Sequence, residues 1–463
     1  MHRTAIQRGV LTLLALASVA LGLPAAAAEA GPSASPRLPP TAPSAVPHTR
    51  PETRPSDDRI AHVLAGTARP LSDLGPLRRM IGDASIVGMG EATHGSHEFF
   101  RTKVRVFKEL VRRDGFATFA LEANWNAGVR LNDHVLHGTG DPRQIMREEF
   151  QNAYFIWNTQ EYLDLIRWMR DHNVRHPQRP VHFMGNDSAY AGPHLFDLVT
   201  EYIGERHPGL LTEFTRLYRA SRPPASASVD QTMKAYLAKP LAERRRLAAD
   251  VQRALVLLER QRPGQDRERH SWAVQHARAV AQVGGMYAFD YAAPEGVAEM
   301  MRYRDRIMAE NTVWWQRQTG RRVLLSAHNG HVAYESSNPA QYPKVQGAFL
   351  RDMIGDAYVN VGFTFGRGSF RALDLTDPAE PVRTFTVGPP EPGSAEVVLE
   401  RVSRRNYSID LRSAPSAART WLNEARPVRS IGAGWPDPPQ AVRLAPSYDV
   451  LIHLPRITPA HLL

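Results

Sequence analysis

Four of the five apolar runs that read as buried strands in this chain are followed at once by Glu, His, Asp or Asn, and this pattern limits both fold and chemistry. The runs are residues 85–89 (SIVGM), 117–121 (ATFAL), 181–184 (VHFM), 323–326 (VLLS) and 358–364 (YVNVGFT). They lack the alternation of a half-exposed strand, so each is expected to be covered on both faces, as parallel strands are. Helical patterns separate them, at 98–113 and at 159–173, the latter with Tyr162, Leu163, Leu165, Ile166 and Met169 at helical spacing. Strand and helix in alternation predict an α/β fold, a parallel-rich central sheet flanked by helices. Residues 195–320 are mostly helical, with breaks near 222–228 and 262–264, and are too long for an ordinary crossover. They are expected to form a large helical insertion that roofs the active-site crevice. The last ~90 residues mix short strands, Pro-rich turns and helices at 395–404 and 414–425, which complete the sheet edge of the same domain.

The globular pattern begins only at about residue 58. Arg3 and Arg8 precede an apolar run from Val10 to Leu23, and small residues follow at 25–28. A basic start, a run too short to span a bilayer and an A-x-A site read as a signal peptide over 1–28, hence a secreted protein without stable membrane association. Residues 29–57, rich in Pro, Ala and Ser, read as a disordered spacer, and 58–463 as one large domain. The first 28 residues hold two arginines and no acid, so cleavage lowers the net charge of +10 by two. The basic residues are nearly all Arg and are scattered among acidic ones rather than massed in a stripe, which argues against nucleic acid as a partner. Cysteine is absent. That excludes disulfides, a Cys nucleophile and Cys-ligated zinc, and leaves the chemistry to His, carboxylates, hydroxyls and cations.

In an open sheet the carboxyl ends of parallel strands share one edge, where ligands bind. Here those ends carry Gly90-Glu91-Ala92-Thr93-His94, then Glu122-Ala123-Asn124-Trp125, then Gly185-Asn186-Asp187, then Ala327-His328-Asn329-Gly330-His331. No Gly-x-Ser-x-Gly elbow, His-Glu-x-x-His or phosphate-cradling loop occurs. Two readings of the cluster remain open. His94, His328, His331 and a carboxylate are zinc-type ligands. Equally, a His fixed by a carboxylate can deprotonate water while neighbouring imidazoles or cations stabilise an oxyanion.

The segments G-E-A-T-H-G (90–95), L-E-A-N-W (121–125) and S-A-H-N-G-H-V-A (326–333), in this order, resemble the erythromycin esterase family. So do the spacing from His94 to Glu122, Trp157 and Glu161 ahead of W-M-R (168–170), R-D-R-I-M-A-E-N (304–311) and G-F-T-F-G-R-G-S-F-R-A (362–372). The resemblance runs over about residues 60–455. It implies an esterase that opens a lactone or cleaves another small-molecule ester, with no metal and no cofactor. His94 would be the general base, with Glu91 and Glu122 orienting and polarising it. His328 and His331 would complete the pocket and hold substrate or oxyanion. Lys103 stands where such proteins often carry arginine; together with Asn124 and Asp187 it is expected among the substrate contacts. His97 is expected only to cap or pack the following helix. A metal-dependent hydrolase and a non-catalytic haem-binding protein are the alternatives, although haem needs far fewer of these side chains.

Overall fold

The structure is a computed structural model that describes residues 56–463. The expected signal segment, and the spacer up to residue 55, lie outside the described residues. The last two spacer residues instead start a helix, Asp57–Ala65, which Ser56 caps by accepting the Arg59 N–H at 3.3 Å. Among the described residues no helix is long and apolar enough to cross a membrane.

Six parallel strands form the centre: β1 (Ile86–Met89), β2 (Phe116–Asn124), β3 (His182–Asp187), β4 (Arg322–Ser326), β5 (Tyr358–Asp374) and β6 (Val450–Ile457). Their spatial order is β6-β5-β1-β4-β2-β3. From β1 the chain moves outward to β2 and β3, returns to insert β4 beside β1, and then builds the other side. The register levels the strand ends: Met89 and Leu121 both sit opposite Ser326, and Leu121 sits opposite Gly185. Glu91, Glu122, Asp187 and His328 therefore leave the sheet on one edge and within a residue or two of one level.

Two parts of the sheet differ from expectation. β6 was hidden in the sequence because Pro455 and Arg456 interrupt its apolar run. It nonetheless pairs in parallel along β5 from Val450 to Ile457, leaving the proline near its outer end. β5 also runs ten residues past the expected 364, and that extension pairs antiparallel with Val382–Val387. With Tyr407–Asp410 antiparallel to β6, the sheet is mixed at that end.

Four helices position the site: α1 (His97–Arg113), α2 (Trp125–His137), α3 (Gln160–Arg175) and α4 (Pro294–Thr319). α1 buries Phe99, Phe100, Val106, Phe107, Leu110 and Val111 against the sheet at intervals of three and four. Each such side chain contributes about 1.5–3 kcal/mol when removed from water. Lys103 lies in the same stripe and is fully buried.

The helices Pro193–Arg206, Leu211–Tyr218, Val229–Leu237, Leu241–Glu259 and Arg267–Tyr287 fill most of the expected insertion. They do not roof the crevice, since none of their residues lines it. They pack instead on the outer side of α4 and the β3 edge. Trp272 lies edge-on against Trp314 and Trp315, and the Tyr287 hydroxyl donates to the Ala189 carbonyl at 3.0 Å. Asn311 of α4 joins Gln275, Gln282 and the Asn186 carbonyl in a buried amide network. The insertion braces the helix that serves the site.

Candidate active site

The loop after β1 turns sharply enough that Gly90 has no room for a side chain: a Cβ there would lie 2.1 Å from the Asn329 Oδ1. That close approach lets Asn329 bridge both backbone groups of Phe363 and locks the loops after β1 and β4 to strand β5. Glu91, one residue on, is fully buried. Its Oε1 lies 2.6 Å from His94 Nδ1, and its Oε2 accepts from the Lys103 ammonium. Lys103 also donates to Ser326 Oγ at 3.0 Å and to the Ala327 carbonyl at 3.4 Å. Burial pushes its pKa down and the Glu91 carboxylate opposes that shift. With Nδ1–H directed at Glu91, the free lone pair of His94 sits on Nε2. Trp157 stands edge-on to the ring at 5.2 Å and ties itself to the site by donating to the Glu122 carbonyl at 2.7 Å.

Glu122 is the second hub. Its Oε2 accepts the His328 backbone N–H at 2.9 Å, and its Oε1 faces Arg304 Nη2 at 3.0 Å and His331 Nε2 at 3.2 Å. Burial alone would raise its pKa, but the His331 and Arg304 charges hold it well below the usual carboxylate range. His331 lies between two carboxylates, with Nδ1 2.7 Å from Asp305. Burial works against its charge, yet Asp305 and Glu122 push its pKa up to about 10, so it is an imidazolium at neutral pH. Its 3.2 Å approach to Arg304 Nη1 is then one donor beside another. Arg304 grips Asp187 through Nε at 3.0 Å and Nη2 at 2.7 Å. His328 differs from its neighbour. Burial and the nearby His94 hold its pKa well below the usual value. Its Nδ1 accepts the Gly330 N–H at 3.2 Å, which leaves the proton on Nε2, buried near the Ile431 backbone and, among the described residues, without a well-formed hydrogen bond.

A cleft with about 710 Å³ of unfilled space opens over these groups. Its lining includes His94, Glu122, His328, His331, Arg304 and the aromatic side chains of Tyr154, Trp157 and Tyr342. The structure thus brings His94, Glu122, His328 and His331 to the cleft, with Glu91 directly behind His94. It keeps the three expected substrate contacts away from it. Lys103 is enclosed beneath Glu91, Asp187 is enclosed by Arg304, and Asn124 caps α2 by accepting the Ala127 N–H at 2.6 Å. Each is too buried to meet a substrate and acts on a neighbouring residue or the backbone. Arg304 and Asp305 received no role from the sequence. Their signal was position: they fall on the buried stripe of α4 with Met300, Met301, Met308 and Thr312, where an unpaired charge is prohibitive. Tyr342, edge-on to His331, comes from a loop with no periodicity to betray it.

The erythromycin esterase family matches this chain over residues 111–457. The match begins after the loop that carries Glu91 and His94, so the placement of those two rests on the geometry above. An erythromycin esterase type II from Escherichia coli is 25% identical over 377 residues, covering 75% of this chain and 87% of that protein. Among solved structures, a Bacillus cereus protein is 28% identical with a TM-score of 0.79, covering 88% of this chain and 99% of that one. A protein described as a succinoglycan biosynthesis protein is 26% identical with a TM-score of 0.76, at 88% and 99% coverage. The chain belongs to the erythromycin esterase family.

Proposed function

We propose that the protein hydrolyses a small-molecule ester or lactone with a water activated by His94, without a covalent serine intermediate and without a catalytic metal. Family membership supports a hydrolase of the ester or macrolide type. The observation that carries the finer reading is the 2.6 Å contact between Glu91 and His94 Nδ1, which leaves Nε2 as a base at the cleft. In the reaction, His94 Nε2 takes a proton from water as the water oxygen attacks the ester carbonyl. The resulting oxyanion receives hydrogen bonds from Arg304 Nη1, whose contact is with another donor, and from the neutral His328 Nε2–H. Collapse breaks the C–O bond to the alcohol, and His94 returns the proton to the departing alkoxide.

Among the described residues neither cleft serine is hydrogen-bonded to a histidine that could activate it: Ser337 pairs with Gln440, and Ser336 accepts the Asn338 N–H at 3.2 Å. The carboxylates already have cationic partners: Glu91 has Lys103, Glu122 has Arg304 and His331, Asp187 has Arg304, and Asp305 has His331. An added dication would have to displace these built-in charges, which supports the metal-free reading.

We place this activity outside the cell, from the signal-like segment at 1–28, and expect a mature N-terminus near Glu29 by mass spectrometry of the secreted protein. An exported enzyme meets esters in the medium, so a simpler lactone is expected to exceed erythromycin in kcat/KM. The test is a panel of esters and lactones with erythromycin, before and after dialysis against a strong chelator. Unchanged rates after chelation are expected. Loss of activity restored by zinc or manganese would overturn the metal-free reading, and erythromycin as by far the best substrate would overturn the substrate choice.

A further inference from the structure

We propose that His97, Glu161 and His461 form a second site, one for a zinc-type divalent metal ion, which ties segment 458–463 to the loop that carries His94. His97 opens α1, Glu161 lies in the first turn of α3, and His461 follows β6, so three remote parts of the chain converge. The Nδ1 atoms of His97 and His461 lie 2.6 and 2.7 Å from the same oxygen, Glu161 Oε1, and all the ligand-type atoms fall within 4.8 Å of one another. The two rings stand at 90° with centroids 4.9 Å apart. The His461 backbone N–H approaches Glu161 Oε1 at 3.2 Å and Oε2 at 3.4 Å.

The contrast with the cleft is chemical. There, Arg or Lys sits against Glu91, Glu122 and Asp187, and Asp305 faces His331, which Glu122 shares. Among the described residues the ion-pair partners of Glu161 are the two histidines alone, which can give up the Nδ1 proton and offer lone pairs. Two imidazoles and a carboxylate are a zinc ligand set, with water as the fourth ligand. Metal–nitrogen bonds of about 2.0–2.1 Å place tetrahedral ligands about 3.3 Å apart, so the two N···O contacts must open by roughly 0.6–0.7 Å and the two imidazole nitrogens, which lie within 4.8 Å of each other, must close by up to about 1.5 Å. The His461 side chain is 66% exposed and free to make that shift. The N-termini of α1 and α3 favour the carboxylate and temper affinity for the cation.

An ion there would act through the backbone, away from the reacting atoms. Ala460 N–H donates to the Gly95 carbonyl at 2.8 Å and His97 N–H to the Thr458 carbonyl at 3.0 Å. On the other side, Gln160 N–H donates to the His461 carbonyl at 2.8 Å and Leu463 N–H to the Asn158 carbonyl at 2.9 Å. Gly95 follows His94 and Asn158 follows Trp157, so the segment links the loops that hold the base and the ring beside it.

The experiment titrates chelator-stripped protein with zinc by calorimetry and follows Tm, using the unaltered chain, His461→Ala and His94→Gln. One ion per chain is expected in the unaltered protein and in His94→Gln. Loss of a direct ligand in His461→Ala is expected to weaken binding at least ~100-fold, since loss of groups behind the ligands already costs 10–100-fold. The zinc-induced rise in Tm should vanish with it, whereas the metal-free Tm of this exposed-site variant should stay close to that of the unaltered protein. No saturable zinc binding, equal affinity in His461→Ala, or loss of binding in His94→Gln would each overturn the proposal. Ester turnover by stripped enzyme reads the reaction of the cleft separately, so the two conclusions can fail independently.

Discussion

Lys103 explains itself once its partners are counted. An ammonium offers three donors in a compact tetrahedron, and Lys103 has three acceptors: Glu91 Oε2, Ser326 Oγ and the Ala327 carbonyl. A planar guanidinium would need a different cradle. Removing one member of a buried ion pair strands the other, at a cost of about 3–5 kcal/mol. Lys103→Met is therefore expected to lose stability on that scale in denaturant titrations. Adding Glu91→Gln to it should recover part of the loss, because the stranded charge is gone. A single-variant cost below ~1 kcal/mol, or a double variant as unstable as the sum of both, would contradict the pairing. The same logic makes Lys103 and Asp187 positioning residues: one holds Glu91 against His94, the other holds Arg304 at Glu122.

At the level of elements, five of the six central strands and the chemistry at their ends were legible because buried parallel strands have a simple signature and the polar clusters follow them directly, whereas their spatial order comes from the structure alone. The carboxylate–histidine pairing could be anticipated only as a type. Which imidazole is charged depends on distances that no spacing encodes: His331 lies between two carboxylates, while His328 accepts a backbone N–H. The role of the insertion was misjudged for a related reason. Its helical periodicity is plain, but the face it covers is decided by Trp272, Gln275 and Gln282 meeting α4. Lys103 and Arg304 share one overlooked sign, a cation on the apolar stripe of a helix beside the sheet. The bracing of α4 is testable. Asn311→Ala would leave the Gln275 and Gln282 amides and the Asn186 carbonyl without their common partner, at about 1–3 kcal/mol. Because Asn311 lies two turns from Arg304 on α4, kcat is expected to fall with stability. A variant with unchanged stability would show that the network is not a brace.

Across the whole molecule, buried titratable groups set a pH window. Burial pushes His182 and His276 down to about 4 and His453 down to about 3, and His328 is also held well below 6.5. As pH falls below 6.5 the unfolded chain binds protons there that the fold refuses, so stability drops. Glu396 and Asp437, both raised by burial to about 7, oppose this between pH ~4 and 7, but they are two groups against four. Above pH 7 the sign reverses. His331, raised to about 10, keeps a proton in the fold that the unfolded chain has released, and its contribution is lost as pH climbs through 10, by at most ~1.4 kcal/mol per unit. Tm is therefore expected to peak near pH 7, with the alkaline decline flattened in His331→Gln. A Tm that rises steadily from pH 7 to 10 would contradict the charged state assigned to His331.

The claim on which the function turns is that His94 is the base. His94→Gln keeps a polar side chain of similar reach beside Glu91 and removes the nitrogen lone pair that serves as the base. Measured on chelator-dialysed protein with the best substrate of the ester and lactone panel, kcat is expected to fall at least ~100-fold, about 2.7 kcal/mol, with Tm little changed. Near-full turnover by this variant would contradict the mechanism.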